Sequence, residues 1–323
     1  MKLGHFLALI LTAGPAIADT SAGIAYLSGA SDDARPLALS IWYPTAEPAS
    51  ATIGGNAVFQ GAPAALGAAL PETRLPLVVL SHGGLRSAAD SGAWLGASLA
   101  RAGFVVVEVN APRPKDGVAA LDEIWRRPAD ISRAIDLMLG DEGWRARINQ
   151  DGISVVGFAL GATSALSVGG AKMDVDRYMR SCDADGAKQG ADCGWYAAQG
   201  VAMTQTSRQG LARLIPDPRV TSVVAIAPEY IPAFVAARPD AATMLISLGK
   251  PDGNAGVLSV DQDIAFPNAS VFDAFAVCTK AGPDILREDE GDASLCGGSA
   301  QARADIHQAL SGAITAFLMD GGK

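Results

Sequence analysis

The fold is decided by residues 154–162, whose sequence SVVGFALGA is a short apolar run leading into a Gly-x-x-x-Gly turn. Ala165 and Leu166 continue the segment with the composition of a helix. A buried strand, a sharp turn flanked by small residues and then a helix are typical of a nucleophile elbow, which lifts its central side chain above a sheet. The central residue here is Ala159, and a methyl group cannot attack a carbonyl. The segment therefore predicts an elbow without its nucleophile.

Apolar runs and helical patterns alternate on both sides of this segment. Strands are predicted at residues 38–43, 77–80, 104–109, 153–156, 220–225, 244–248 and 271–277. Several are rich in Val and Ile with little polar alternation, as expected of central parallel strands covered on both faces. Apolar stripes predict two helices, one with Ile131, Ile135 and Met138 behind a first-turn Pro128, the other with Ile306, Leu310, Ile314 and Phe317. This order predicts an α/β protein with a doubly wound, mostly parallel sheet.

Two stretches interrupt this order. Residues 46–76 are rich in Ala, Gly and Pro and are interpreted as a long surface excursion. Residues 169–217 carry Asp, Gly and two cysteines with a patchy helical pattern. We interpret this second stretch as a cap inserted above the sheet, within one domain of residues 19–323.

The first eighteen residues have the pattern of a secretory signal peptide. A basic start at Lys2 precedes a short apolar run at residues 6–11 and a small-x-small cleavage site at residues 16–18. A membrane helix needs about 20 apolar residues, and Pro15 follows too soon for one. We therefore expect an exported protein, periplasmic or secreted, with no membrane span after cleavage of residues 1–18.

Composition and charge narrow the classes of function. The 323 residues are 49% hydrophobic and 18% charged, which excludes a disordered, coiled-coil or collagenous protein. Lys and Arg total 25 against 34 Asp and Glu, a net charge of −9, so no basic surface recruits a phosphate backbone. We expect no nucleic-acid partner and no cofactor.

Four cysteines in an exported chain favour disulfides over free thiols. Three pairings are possible, and we favour Cys182 with Cys193 and Cys278 with Cys296, because each bridge then closes one short Gly- and Asp-rich loop. A zinc site is the competing interpretation. No pair has CxxC spacing and no histidine lies nearby, so we expect no metal.

A second motif follows the predicted strand at 77–80, where the chain reads Ser81-His82-Gly83-Gly84. In enzymes with a nucleophile elbow, a His-Gly turn at this place offers backbone N–H groups to an oxyanion. We expect the donors here to be the N–H groups of Gly84 and Leu160. Because these donors are backbone atoms, they survive the loss of catalytic side chains.

Together these segments resemble bacterial dienelactone-hydrolase-like proteins of the α/β-hydrolase fold, the exported group related to platelet-activating-factor acetylhydrolases. The resemblance rests on residues 35–37 with 42–44, 75–83, 127–131, 156–161 and 272–278. It implies esterase chemistry by a Ser-Asp-His triad. Position by position, the serine falls on Ala159, the acid on Asp252 and the histidine on Val271, with Ser270 beside it. The triad is therefore expected to be degenerate.

A count of histidines tests this alignment. The chain has three, of which His5 leaves with the signal peptide, His82 belongs to the turn and His307 lies on the last helix as a packing residue. No histidine remains as a general base, and a triad requires one. Loss of both serine and histidine indicates natural decay rather than an engineered inactivation.

Other polar residues receive structural interpretations. Thr163 and Ser164 are expected to bond to the preceding helical turn. Glu229 is interpreted as a surface carboxylate at a strand end, with a place in the pocket as the alternative. Trp195, Tyr196 and Tyr230 are candidates to line a pocket under the cap, although large aromatics in such segments usually serve ordinary packing.

Three hypotheses of function follow. The first is a non-catalytic pseudohydrolase that binds a small acyl or ester-like ligand, or a protein partner that the sequence does not identify. The alternative is an active esterase or lactonase that uses a non-standard site. The third is a structural or interaction role in the cell envelope.

Overall fold

A ten-stranded sheet, mostly parallel, runs through the computed structural model, which describes residues 20–29, 34–183, 192–250, 258–289 and 291–322. In chain order its strands are β1 (Ser21–Ser28), β2 (Ala38–Thr45), β3 (Ala51–Ile53), β4 (Ala62–Leu66), β5 (Leu77–Ser81), β6 (Val105–Asn110), β7 (Ile153–Phe158), β8 (Val220–Ile226), β9 (Ala242–Leu248) and β10 (Gln262–Phe266). Their order across the sheet is β10-β9-β8-β7-β5-β6-β2-β1-β4-β3. Strands β5 to β10 pair in parallel, whereas β2 is antiparallel to both β1 and β6. The predicted doubly wound α/β sheet is confirmed.

Ten α-helices connect the strands in the described part of the chain. They are α1 (Ala93–Arg101), α2 (Gly117–Ala120), α3 (Glu123–Gly140), α4 (Glu142–Arg145), α5 (Leu160–Val168), α6 (Val175–Met179), α7 (Cys193–Ala198), α8 (Arg208–Leu211), α9 (Gly282–Glu288) and α10 (Ala300–Met319). None of the helices described is long and apolar enough to cross a membrane.

Helices cover both faces of the sheet because successive strand residues point to opposite sides. In β5, Leu77 and Val79 pack in the cluster that contains α3 and α5, whereas Val78 and Leu80 pack with α1 and α10. Burial of each such side chain contributes roughly 1.5–3 kcal/mol to folding. Leu310 of α10 is fully buried, which confirms the predicted stripe on that helix.

The prediction of a last strand at 271–277 is wrong. Residues Val271–Ala274 form a 3-10 helix, because Ser270 and Asp273 cap it reciprocally and turn the chain. The edge strand is β10 instead, whose alternately half-buried and exposed residues gave no continuous apolar run.

The interpretation of residues 46–76 as a surface excursion is also wrong. This stretch contains β3 and β4, neither of which the sequence predicted. Strand β4 pairs in parallel with β1. Ala62, Ala64 and Ala65 are buried against the sheet. Small alanine side chains give a weak apolar signal, and three- to five-residue strands are short for any periodic pattern.

Pro128 lies inside α3 rather than in its first turn, since the helix begins at Glu123. The added turn carries Glu123 and Arg127, which pair four residues apart. Both belong to the site described below.

Both predicted disulfides are present, Cys182–Cys193 and Cys278–Cys296. The first lies between α6 and the start of α7, in the 169–217 stretch that also contains α8. The expected signal peptide, residues 1–18, lies outside the described residues.

Candidate functional site

The elbow between β7 and α5 has the geometry that its sequence predicts. Ala159 adopts φ 54° and ψ −123°, a conformation that residues with a side chain rarely take. The glycines on either side are required by close approach of the backbone. A Cβ on Gly157 would stand 2.3 Å from the carbonyl oxygen of Gly161, and a Cβ on Gly161 would stand 1.9 Å from that of Ser81. The tight turn therefore persists although its central side chain is only a methyl group.

The Gly83-Gly84 turn after β5 is hydrogen-bonded to this elbow. The Gly83 N–H donates to the Phe158 carbonyl at 3.2 Å, and the Gly161 N–H donates to the Gly83 carbonyl at 3.2 Å. Across the described ranges, the N–H groups of Gly84 and Leu160 donate no hydrogen bond. The two expected oxyanion donors thus remain without a partner on segments that are bonded together.

Arg127 binds the carbonyl groups of the Gly83-Gly84 turn, a role that the sequence did not predict. Its buried guanidinium donates to the carbonyls of Gly83 at 3.0 Å and Gly84 at 2.8 Å. Its Nε donates to the Glu123 carboxylate at 3.3 Å, and Arg35 donates two hydrogen bonds to the same carboxylate at 2.9 and 2.8 Å. In a trans peptide the carbonyl and the next N–H point in opposite directions. Arg127, by holding the Gly83 carbonyl, therefore directs the Gly84 N–H to the other side of the turn.

Both described histidines are held by main-chain carbonyls. His82 Nε2 lies 3.0 Å from the Ala274 oxygen, and its ring packs on Phe158 at 5.0 Å. His307 Nε2 lies 2.9 Å from the Asp273 oxygen, and its ring stacks on Trp94 at 3.7 Å. Burial lowers the pKa of each imidazole to about 4. Each is neutral and bonded at neutral pH, which fits the packing role expected of His307.

The position assigned to the triad histidine, Val271, is partly exposed to solvent. Val271 begins the 3-10 helix before α9, and its side chain is 47% exposed. This segment reaches the elbow strand through Phe275, whose ring centroid lies 5.6 Å from that of Phe158. Asp252, the expected acid, lies outside the described residues.

Glu229 is not the surface carboxylate that we expected. Its Oε2 is buried without a hydrogen-bond partner, and its Oε1 lies 3.6 Å from where a Cβ on Gly84 would stand. The backbone around it is strained, with φ 43° at Ala227 and 59° at Tyr230. The Thr163 hydroxyl donates to the Glu229 carbonyl at 2.6 Å and ties this segment to α5. The sequence signal that could have identified Glu229 is its position just after β8, the strand next to the elbow strand β7 in the sheet.

Polar groups from the 169–217 stretch surround Glu229. Tyr178 of α6 and Tyr196 of α7 are buried, and Tyr178 packs edge-on against Tyr230 at 5.1 Å. Asp192, before α7, is buried as well. Burial, followed by the charge of Asp192, raises the pKa of Glu229 to about 8. Tyr196 and Tyr230 thus belong to the site, as one interpretation had it, and Trp195 packs on Tyr196 at 5.3 Å.

Of the two hydroxyls expected to bond to the preceding turn of α5, only that of Ser164 does so, donating to the Leu160 carbonyl at 2.9 Å. The Thr163 hydroxyl lies 3.4 Å from the Ala159 carbonyl but donates to the closer Glu229 carbonyl outside the helix. Neither hydroxyl is hydrogen-bonded to a base. The arrangement can hold a carbonyl oxygen but offers no nucleophile at the elbow.

A cavity of about 250 Å³ is lined by His82 and Arg127, among other residues. Ser91 and Glu108 are in its lining, and the Ser91 oxygen lies 3.2 Å from His82 Nδ1. Glu108 accepts from the Gly92 N–H at 2.7 Å, and burial raises its pKa to about 8.

Comparison with known proteins supports the fold. No family model and no curated protein sequence matches the chain. Among solved structures, the ferulic acid esterase from Streptomyces cinnamoneus is similar at 16% sequence identity, over 93% of this chain and 90% of that one, with a TM-score of 0.53. At this identity the likeness shows a shared fold alone. The chain therefore has the α/β-hydrolase fold.

Proposed function

We propose that this chain is an exported pseudohydrolase, related to dienelactone-hydrolase-like proteins, that binds a small acyl or ester-like ligand at the elbow. The observation that carries the proposal is the strained turn at Ala159, kept beside two N–H donors that have no partner among the described residues. A residue at such φ and ψ costs about 1–3 kcal/mol. Retention of that strain without a nucleophile favours a binding role for the turn.

The absence of chemistry at the elbow follows from the residues assigned to the triad. Members of a triad act as a unit, and removing the serine or the histidine costs on the order of 10⁶ in rate. Ala159 and Val271 replace both. The donors, being backbone groups, still present a site for a carbonyl or carboxylate oxygen.

Export and the cap belong to the same proposal. Two disulfides are typical of proteins that fold in an oxidising compartment, and residues 1–18 have the pattern of a signal peptide. Residues 169–217 supply Tyr178, Asp192 and Tyr196 around Glu229, as a cap over a pocket would.

The test restores the missing groups in the purified mature protein. Hydrolysis of short-chain nitrophenyl esters and of a lactone is measured for the wild type, for Ala159→Ser alone and for Ala159→Ser with Val271→His. We expect no turnover from the wild type, little from the single variant, which has no base, and activity sensitive to diisopropyl fluorophosphate from the double variant. Turnover by the wild type at an enzyme-like rate contradicts the proposal.

One observation favours the alternative, an active esterase or lactonase with a non-standard site. Because the Ala274 carbonyl only accepts, His82 carries its proton on Nε2, and Nδ1 accepts from the Ser91 hydroxyl. A serine bonded to an oriented histidine is the arrangement of an activated nucleophile. The low pKa of His82, about 4, makes it a weak base and places this candidate second.

The two candidates separate with a fluorophosphonate probe and peptide mass spectrometry. An adduct on Ser91 that is absent in His82→Gln supports the alternative. An unlabelled wild type, beside a labelled Ala159→Ser, Val271→His variant, supports the pseudohydrolase.

A further inference from the structure

Glu229 carries a carboxyl group that has no hydrogen-bond partner among the described residues and lies beside Gly84 of the turn. Its Oε1 lies near Gly84, and within the described ranges neither carboxyl oxygen makes a hydrogen bond. A buried polar group without a partner costs about 1–3 kcal/mol, so its persistence calls for an explanation. The backbone on either side of Glu229 is strained, with positive φ at Ala227 and Tyr230.

The groups that face this carboxyl come from four segments. Asp192 and Tyr196 lie at the start of α7 and within it, Tyr178 lies on α6, Tyr230 follows in the chain, and Arg127 lies on α3. Among the cations of the described residues, Arg127 alone acts on Glu229, and its N–H groups already bind Gly83, Gly84 and Glu123. Arg86, which is exposed, acts on Asp192.

We infer that Glu229, in its carboxylic acid form, donates a hydrogen bond to the carbonyl oxygen of the bound ligand, and that the site takes an uncharged ester or lactone rather than a free carboxylate. The inference rests on the proposed function, since it concerns the ligand of that same site. Three donors would then meet one oxygen: the N–H groups of Gly84 and Leu160 and the hydroxyl of the Glu229 acid.

The preference for an uncharged ligand follows from the charges. A carboxylate ligand would enter a desolvated site beside Asp192, and within the part of the chain that the structure describes no uncommitted cation faces Glu229 to offset that charge. A carbonyl needs only donors. The site would therefore bind an intact ester in preference to the corresponding free acid.

This arrangement sets a pH dependence whose sign can be worked out. Because burial raises the pKa of Glu229 to about 8, the acid form is present below that pH and the donor is available. Above it the carboxylate forms, the donor is lost and the two oxygens repel. Affinity for an ester is expected to be constant below about pH 7 and to fall about tenfold per pH unit well above pH 8.

The experiment uses methyl cinnamate and cinnamate, which share an acyl group and do not titrate between pH 6 and pH 9.5. Calorimetry on the wild type should give an ester affinity at least tenfold weaker at pH 9.5 than at pH 6.5, and cinnamate at least tenfold weaker than the ester at pH 6.5. Glu229→Gln keeps shape and donor but cannot ionise, so its affinity should not change with pH. Asp192→Asn removes a charge that raises the Glu229 pKa, so the loss should begin at lower pH.

The outcomes distinguish this inference from the proposed function. If neither the wild type nor Glu229→Gln binds the ester at any pH, the proposed function fails and the inference fails with it. If both bind it alike at every pH, or if cinnamate binds as tightly as the ester, the inference fails and the function stands. A ¹³C NMR titration, with the Glu229 signal assigned by its absence in Glu229→Gln, checks the acid without a ligand. A midpoint near the ordinary 4.5 overturns the inference.

Discussion

Replacement of Arg127 by Met tests whether the turn at Gly83 and Gly84 is held by the guanidinium beneath it. The change removes two charge-assisted hydrogen bonds to main-chain carbonyls and keeps the aliphatic stem that packs in α3. Each such bond contributes about 1.5–3 kcal/mol. The carbonyls are not orphaned, since Gly161 donates to Gly83 and Ser87 donates to Gly84, and Arg35 still pairs with Glu123. We therefore expect a loss of about 3 kcal/mol, the lower end of the summed range.

The assay is urea unfolding at pH 7, with the slope against denaturant compared between proteins so that a shifted midpoint reports stability. The matched control is Arg126→Met, one residue earlier on the same helix. Arg126 is exposed and makes a surface ion pair with Asp122 at 2.7 Å, so its loss should cost less than about 1 kcal/mol. Equal effects of the two substitutions, or a loss below 1 kcal/mol for Arg127→Met, would refute the reasoning.

Three further predictions concern the elbow and the buried histidine. Ala159→Gly should raise the free energy of unfolding by up to about 1 kcal/mol, because glycine relieves the positive φ. The control, Ala162→Gly in α5, should lower the free energy of unfolding. Both are measured by circular dichroism melts, and destabilisation by both substitutions would contradict the strain at Ala159. Gly161→Ala should lower the free energy of unfolding by about 2–3 kcal/mol, because the new Cβ clashes with the Ser81 carbonyl. Gly194→Ala, which has open space around it, should leave stability unchanged in the same melts. A tolerated Gly161→Ala would refute the close approach of the backbone. Since burial lowers the folded pKa of His307 to about 4, its stabilisation is present above pH 6.5 and lost as pH falls toward 4. His307→Gln should therefore reduce the acid-induced loss of stability by about 3 kcal/mol, and an unchanged pH profile of unfolding would show that His307 does not titrate this way.

The elbow, the disulfide pairing and most central strands were predictable from sequence because their causes are local. Small residues at Gly157 and Gly161 are a steric requirement of the turn itself, and two short loops favoured pairing each cysteine with its neighbour in the chain. The errors arose where the signal was not local. Strand β10 lies at a sheet edge, where half-buried and exposed residues alternate along it. Strand β4 is buried by pairing with β1, which lies some forty residues earlier in the chain.

The sequence by itself determined that the central residue of the elbow is an alanine, since this follows from which residue stands at 159. Only the tertiary structure decided which groups from distant segments lie around the elbow and the neighbouring turn. Arg127 reaches the turn across 44 residues, and Glu229 meets Asp192 and Tyr178 from separate segments. Desolvation and charge depend on distance in space and not on distance along the chain. The same Glu229 carboxyl would be an ordinary surface anion without the helices packed over it.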